Sequence, residues 1–201
     1  MAKKRPKRKT VEEVGVEVIQ AMNDEFHESS DRIVAIVGAA YLDSMLETLF
    51  RAAFIDDPDD VDNLLQPDAP LGSNGSRIRL AYCMGLITQD MRDDLKLIAR
   101  IRNKFAHDFT VKRFDTSPIR DYCSSLKQPG LMAGLAEKIF PPAVSEDAKQ
   151  YVQNISSTPR EKYKTSVISL FGALARRSYY VHRVASLDWF STDPDAPENP
   201  S

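Results

Sequence analysis

The segment Arg102-Asn103-Lys104-Phe105-Ala106-His107 holds the side chains best suited to chemistry in this sequence. A guanidinium clamps a phosphodiester bidentately, an amide adds a donor, and an imidazole titrating near neutral pH moves protons. Arg102, Asn103 and His107 together therefore point to a phosphate-handling site. A competing account is structural. Arg102 then makes a buried ion pair with Asp43 or Glu47, with Asp31 a less favoured partner, and His107 closes its helix where the dipole favours imidazolium. On a wheel of about 100° per residue, Arg102 falls within about 40° of the centre of the apolar face, and His107 lies about 140° further round. The two converge only if the helix unwinds there or a second subunit supplies the other copy.

Other signals for chemistry are weaker. Three histidines (His27, His107, His182) and two separated cysteines, Cys83 and Cys123, leave triads, zinc sets and CxxC redox pairs little to draw on. The stretch Leu71-Gly-Ser-Asn-Gly-Ser76 lacks the strand and the Gly-Lys-Ser/Thr of a phosphate loop and reads as the start of a helix. Asp56, Asp57, Asp59, Asp60 and Asp62 lack the ligand order and central glycine of a calcium loop, so a solvated acidic loop is expected. Tyr179, Tyr180 and Trp189 near Arg176, Arg177 and Arg183 offer rings for base stacking, but such spacing on a terminal helix favours core or dimer contact. No metal and no cofactor is expected.

The elements that must position these groups are helical. Val11, Val14, Val18, Ala21, Met22 and Phe26 recur at three- and four-residue steps and predict a first helix. Ser29 and Ser30 can cap a second, from Asp31 to Ile55, with Ile33, Ile36, Val37, Ala40, Met45, Leu49, Ala53 and Phe54 as its buried stripe. Asp43, Glu47 and Arg51 form a charged ridge beside it. A long connection, Asp56 to Gly75, has room for a turn or two of helix at Val61–Leu65. Helix resumes from Ser76 to Gly85. Thr88 caps the next, whose Met91, Leu95, Ile98, Ile101 and Phe105 share a face. Short pieces follow Ser117-Pro118 and, after a break at Pro129-Gly130, run from Leu131 to Phe140. Thr158-Pro159 opens a last long helix to Leu187, with Tyr163, Val167, Leu170, Phe171, Leu174, Tyr180, Val181 and Val184 facing inward. No segment alternates with period two long enough to insist on a strand. The expected fold is all-α: a single helical bundle with long second and last helices.

Charge divides the chain further. The 27 basic and 29 acidic residues leave a net −2, but Lys3, Lys4, Arg5, Lys7, Arg8 and Lys9 put six positive charges into one arm and leave residues 10–201 at −8. Residues 1–10 read as a disordered basic tail able to touch nucleic acid weakly, 11–190 as the helical domain, and 191–201, with three prolines, as a disordered acidic tail. An acidic body argues against broad coating of nucleic acid. Met1 to Thr10 lacks the apolar core of a secretory signal and no run of about 18 apolar residues appears, so a cytoplasmic protein without a membrane span is expected.

Several separated blocks carry a family resemblance: Glu28 through Val37, Ala39 through Asp43, Ala69 through Ser73, Arg77 through Tyr82, Gly85 through Ile87, and Ile98 through His107. In this order they resemble the MtlR/YggD family, named for the mannitol operon repressor, over about residues 25–130. The resemblance implies an all-helical transcriptional repressor or modulator of sugar-alcohol uptake genes. No helix-turn-helix with a basic recognition helix is visible, so repression through a protein partner is expected, with a homodimer as the assembly. The Arg102-x4-His107 signature is also similar to that of HEPN domains. That likeness implies the alternative, a metal-independent endoribonuclease in which Arg102, Asn103 and His107 line a cleft at a dimer interface.

Overall fold

The computed structural model describes residues 11–139, 154 and 157–184, and no strand occurs among them. Helices run α1 Val11–Glu28, α2 Asp31–Ala53, α3 Pro58–Leu65, α4 Asn74–Cys83, α5 Gln89–His107, α6 Ile119–Ser124, α7 Gln128–Ile139 and α8 Pro159–Tyr180. The basic arm and the acidic tail lie outside the described residues.

Local chemistry explains most of the boundaries. Ser30, Asp57, Ser73, Thr88 and Thr158 each accept a hydrogen bond from a backbone N–H of the first turn of α2, α3, α4, α5 and α8. After α4 the chain reverses through Gly85, whose φ of +67° is the left-handed conformation that favours glycine. Two boundaries differ from expectation. Pro129-Gly130 does not break a helix: Pro129 sits in the first turn of α7, where a missing N–H costs nothing. The last helix stops at Tyr180 rather than Leu187, and Val184 continues on a non-helical path with its N–H donating to the carbonyl of Ala53 at 2.9 Å.

Helix α2 is the centre, packed against α8 and α5, with α4 across α2 and α5, and α6 and α7 against α8. Its buried residues are Val34, Ala35, Gly38, Ala39, Leu42, Leu46, Leu49, Phe50 and Ala53. Of the stripe expected from the sequence, Leu49 and Ala53 are buried, while Ile33 is 47% exposed. The reason lies in the small residues. A side chain at Gly38 would meet Tyr163 Cε1 at 3.1 Å and Val167 Cγ2 at 3.2 Å, so the Ala35-Gly38-Ala39 face is where α8 sits closest. Tyr163 is fully buried there and donates its hydroxyl to the carbonyl of Ala35 at 2.7 Å. The core continues through Phe114, whose ring lies 4.9 Å from Tyr163 and 5.0 Å from Phe105.

The best 18-residue window of α2 has a mean hydropathy of 1.6, enough by length and composition to cross a membrane. Its packing identifies it instead as a core helix.

Candidate functional site

The C-terminal half of α5 and the loop after it form an open groove of about 800 Å³. Arg100, Asn103, Lys104 and His107 line one wall, Phe109 and Thr110 the rim, and Tyr122 of α6 the far side. The wall follows from spacing, since residues three, four and seven apart share a helix face. His107 is the last residue of α5. The Oδ1 of Asp108 then accepts from the N–H of Thr110 at 3.0 Å and from its hydroxyl at 2.6 Å. These bonds, led by the hydroxyl, hold the Asp108 carboxyl below the usual carboxylate range. The turn they form presents Phe109 outward at 83% exposure.

Arg32, in the first turn of α2, fixes this loop from behind. Its guanidinium donates to the carbonyls of Phe105, of Asp108 at 3.2 Å and of Val111 at 2.9 Å, giving cationic donors to the end of α5. Beside it, Asp31 accepts from the N–H of Phe114 at 2.8 Å and from Arg160 of α8. Arg160 also donates to the carbonyls of Phe26 and Ser29, both at 2.7 Å. Three chain segments are thereby tied at one point.

The expectation for Arg102 is corrected. It is exposed and donates to Asn103 Oδ1 at 3.0 Å, so it forms no buried pair with Asp43, Glu47 or Asp31. Leu95 and Arg102 are a heptad apart and lie on one stripe of α5, yet Leu95 is buried and Arg102 is exposed, so the stripe is covered along only part of its length. Within the chain Arg102 and His107 do not meet. Asn103 and His107 share the groove wall, and Arg100 and Lys104 are the cations beside them.

The buried arginine is Arg77, at 5% exposure. It donates Nε to the Leu71 carbonyl and one terminal nitrogen to the Leu65 carbonyl, both at 2.8 Å, and the other to Asp43 Oδ2 at 3.0 Å, with Glu47 Oε2 3.6 Å away. Arg51 pairs with Glu47 at 2.9 Å and with Asp62 at 2.5 Å. Asp43 and Glu47 thus serve α4 and the loop before it rather than α5. A close backbone approach completes this corner, where a Cβ on Gly72 would lie 2.1 Å from the Pro67 carbonyl oxygen.

Asp94 is a second group that sequence reasoning passed over. It is fully buried on α5, and its carboxylate accepts from the N–H of Lys127 at 3.0 Å and of Gln128 at 2.9 Å, capping α7 from another helix. Burial pushes its carboxyl above the ordinary range, opposed by those backbone donors. An acid on the stripe of Leu95, Ile98 and Ile101 signals burial, though not which groups it meets. Among the described residues no group of three or more His, Cys, Asp or Glu is placed to hold a metal ion.

A chain in the X-ray structure of the MtlR-HPr complex from Escherichia coli has a similar fold, with a TM-score of 0.56 and 21% identity, covering 80% of this chain and 98% of that one. A search of curated proteins finds no match. The family model for the mannitol repressor, MtlR, matches residues 24–171, from the end of α1 into α8. With most of the described bundle inside that match, the chain belongs to the mannitol repressor family.

Proposed function

We propose that the chain is a cytoplasmic regulator of the mannitol-repressor type, acting as a transcriptional repressor or modulator by binding a protein partner rather than by reading DNA with its own helices. The observation that carries this reading is the family match over residues 24–171. The likeness in fold to a chain solved in a complex with HPr supports a protein as the partner. The groove at the end of α5 also suits such a role. Phe109, 83% exposed, stands beside Arg100, and aromatic residues and arginine are enriched in protein interfaces.

Calorimetric titration of the purified chain with the HPr of the same cell tests the reading, beside expression of the mannitol operon with the gene deleted. Saturable binding and raised expression are expected. No binding together with unchanged expression overturns it. The ribonuclease reading rests on one observation, that Asn103 and His107 share a wall with two cations.

A further inference from the structure

We infer that the corner between the end of α2 and α3 is a docking groove for a basic amphipathic segment of a protein partner. The inference rests on the protein-binding reading and gives the partner a chemistry. Phe54, Ile55, Val61, Leu64 and Val184 enclose an open cavity of about 450 Å³. Ile55 and Leu64 are each 39% exposed and Val184 52%, so three of the exposed large apolar side chains converge on one place. Scattered singly they would need no explanation; gathered in a concave site they mark a contact surface.

The rim decides the partner's sign. Asp60 lines the groove, and Asp56, Asp57 and Asp59 precede it within four residues of chain. Asp56 pairs with Arg183, and Asp57 caps α3 through the N–H of Asp60 at 3.2 Å. Asp59 and Asp60 pair with no cation among the described residues. An acidic partner is repelled there, whereas Lys or Arg flanking apolar anchors satisfies rim and floor together. Apolar anchors at i and i+4 on one helix match a groove of this kind.

The backbone supports a fixed site. The Val184 N–H bond to Ala53 holds one wall, and Val61 and Leu65, both buried, seat α3 against α2.

The test uses the full chain and two helix-forming peptides with the same leucine stripe, one carrying lysines and one carrying glutamates. The Leu/Lys peptide is expected to bind saturably and to weaken with salt. Leu64→Ser or Val184→Ser is expected to reduce its affinity about tenfold, and Asp59→Asn with Asp60→Asn to remove most of the salt dependence. Leu131→Ser, an exposed apolar side chain of α7 outside both grooves, is expected to change nothing. Equal binding of the Leu/Glu peptide, unchanged affinity in the groove variants, or no saturable binding overturns the inference. Tighter peptide binding by Trp189→Ser also overturns it, by identifying the chain's own C-terminal segment as the occupant. A parallel titration with HPr separates the two readings. HPr binding that survives the groove variants removes this groove as its site and leaves the regulator reading standing, whereas failure of HPr with the wild type counts against the regulator reading and leaves the peptide result to judge the groove.

Discussion

Replacing Arg77 by methionine is the sharpest test of how the bundle is held. Methionine keeps much of the aliphatic stem and removes every donor. Two buried carbonyls, of Leu65 and Leu71, then lose partners now 2.8 Å away, and each orphaned group costs about 1–3 kcal/mol. The Asp43 pair adds less, about 0–1 kcal/mol, because that carboxylate is 38% exposed and water takes over its solvation. The expected loss is about 3 kcal/mol, which for a chain of this size lowers Tm by roughly 6–12 °C. Asp43→Asn leaves both carbonyl bonds intact and is expected to cost about 1 kcal/mol. Arg102→Met, on the exposed stripe, is expected to stay within about 0.5 kcal/mol of wild type. Urea denaturation followed by circular dichroism at constant m-value reads all three. An Arg77→Met loss below about 1 kcal/mol, or an Asp43→Asn loss equal to it, refutes the claim that the carbonyl bonds dominate.

Asp94 is expected to make stability fall with rising pH across the acid range. Its carboxyl is raised in the fold, so the native state holds the proton to higher pH than the unfolded chain, and this contribution is full below the unfolded value and lost as pH rises through the folded one. Asp94→Asn is expected to flatten that segment of the stability profile; an unchanged slope counts against it. At pH 8 iodoacetamide is expected to modify exposed Cys83 and spare Cys123, whose thiol is buried and pushed up to about 12; mass spectrometry showing Cys123 alkylated first would reverse the assignment. Total RNA incubated with the chain in EDTA is expected to remain intact. Cleavage lost in His107→Ala and Arg102→Ala, with unchanged melting, would establish the ribonuclease instead. Deleting residues 1–9 is expected to weaken nonspecific nucleic-acid binding and its salt slope without changing the fold, and identical slopes would refute a role for the arm.

The helices were legible because their ends are written locally. Ser30, Thr88 and Thr158 stand where the chain needs a side-chain acceptor, and all three cap. The buried face of α2 was not legible, since Ile33, Ile36 and Val37 are as apolar as Val34 and Leu42. Size decided it: glycine and two alanines let α8 approach, which leaves Ile33 exposed and Ile36 and Val37 half-buried. Arg102 misled because periodicity says which stripe a residue occupies, not whether anything covers that stripe at its level. Arg77 and Asp94 escaped for the converse reason. Their partners are backbone groups of other segments, at Leu65 and Leu71 and at Lys127 and Gln128, and no residue type announces a carbonyl or N–H in need. Of the candidate site, the Asn103 and His107 wall was readable from spacing. The Arg32 brace and the Phe109 knuckle were not, because a loop is aimed by contacts made 73 to 79 residues away.

The notch at Gly38 that receives Tyr163 also sets an order of events at the ribosome. The helix that covers α2 is synthesised more than a hundred residues after it. Until residue 163 has left the exit tunnel, the nascent chain carries a helix with the hydropathy of a membrane span whose Ala35-Gly38-Ala39 face lacks its cover. A message cut short before α8 therefore yields a chain that exposes its stickiest surface. For this protein, the presence of α8 governs whether α2 ends inside a folded domain or as a hazard to the cell that makes it.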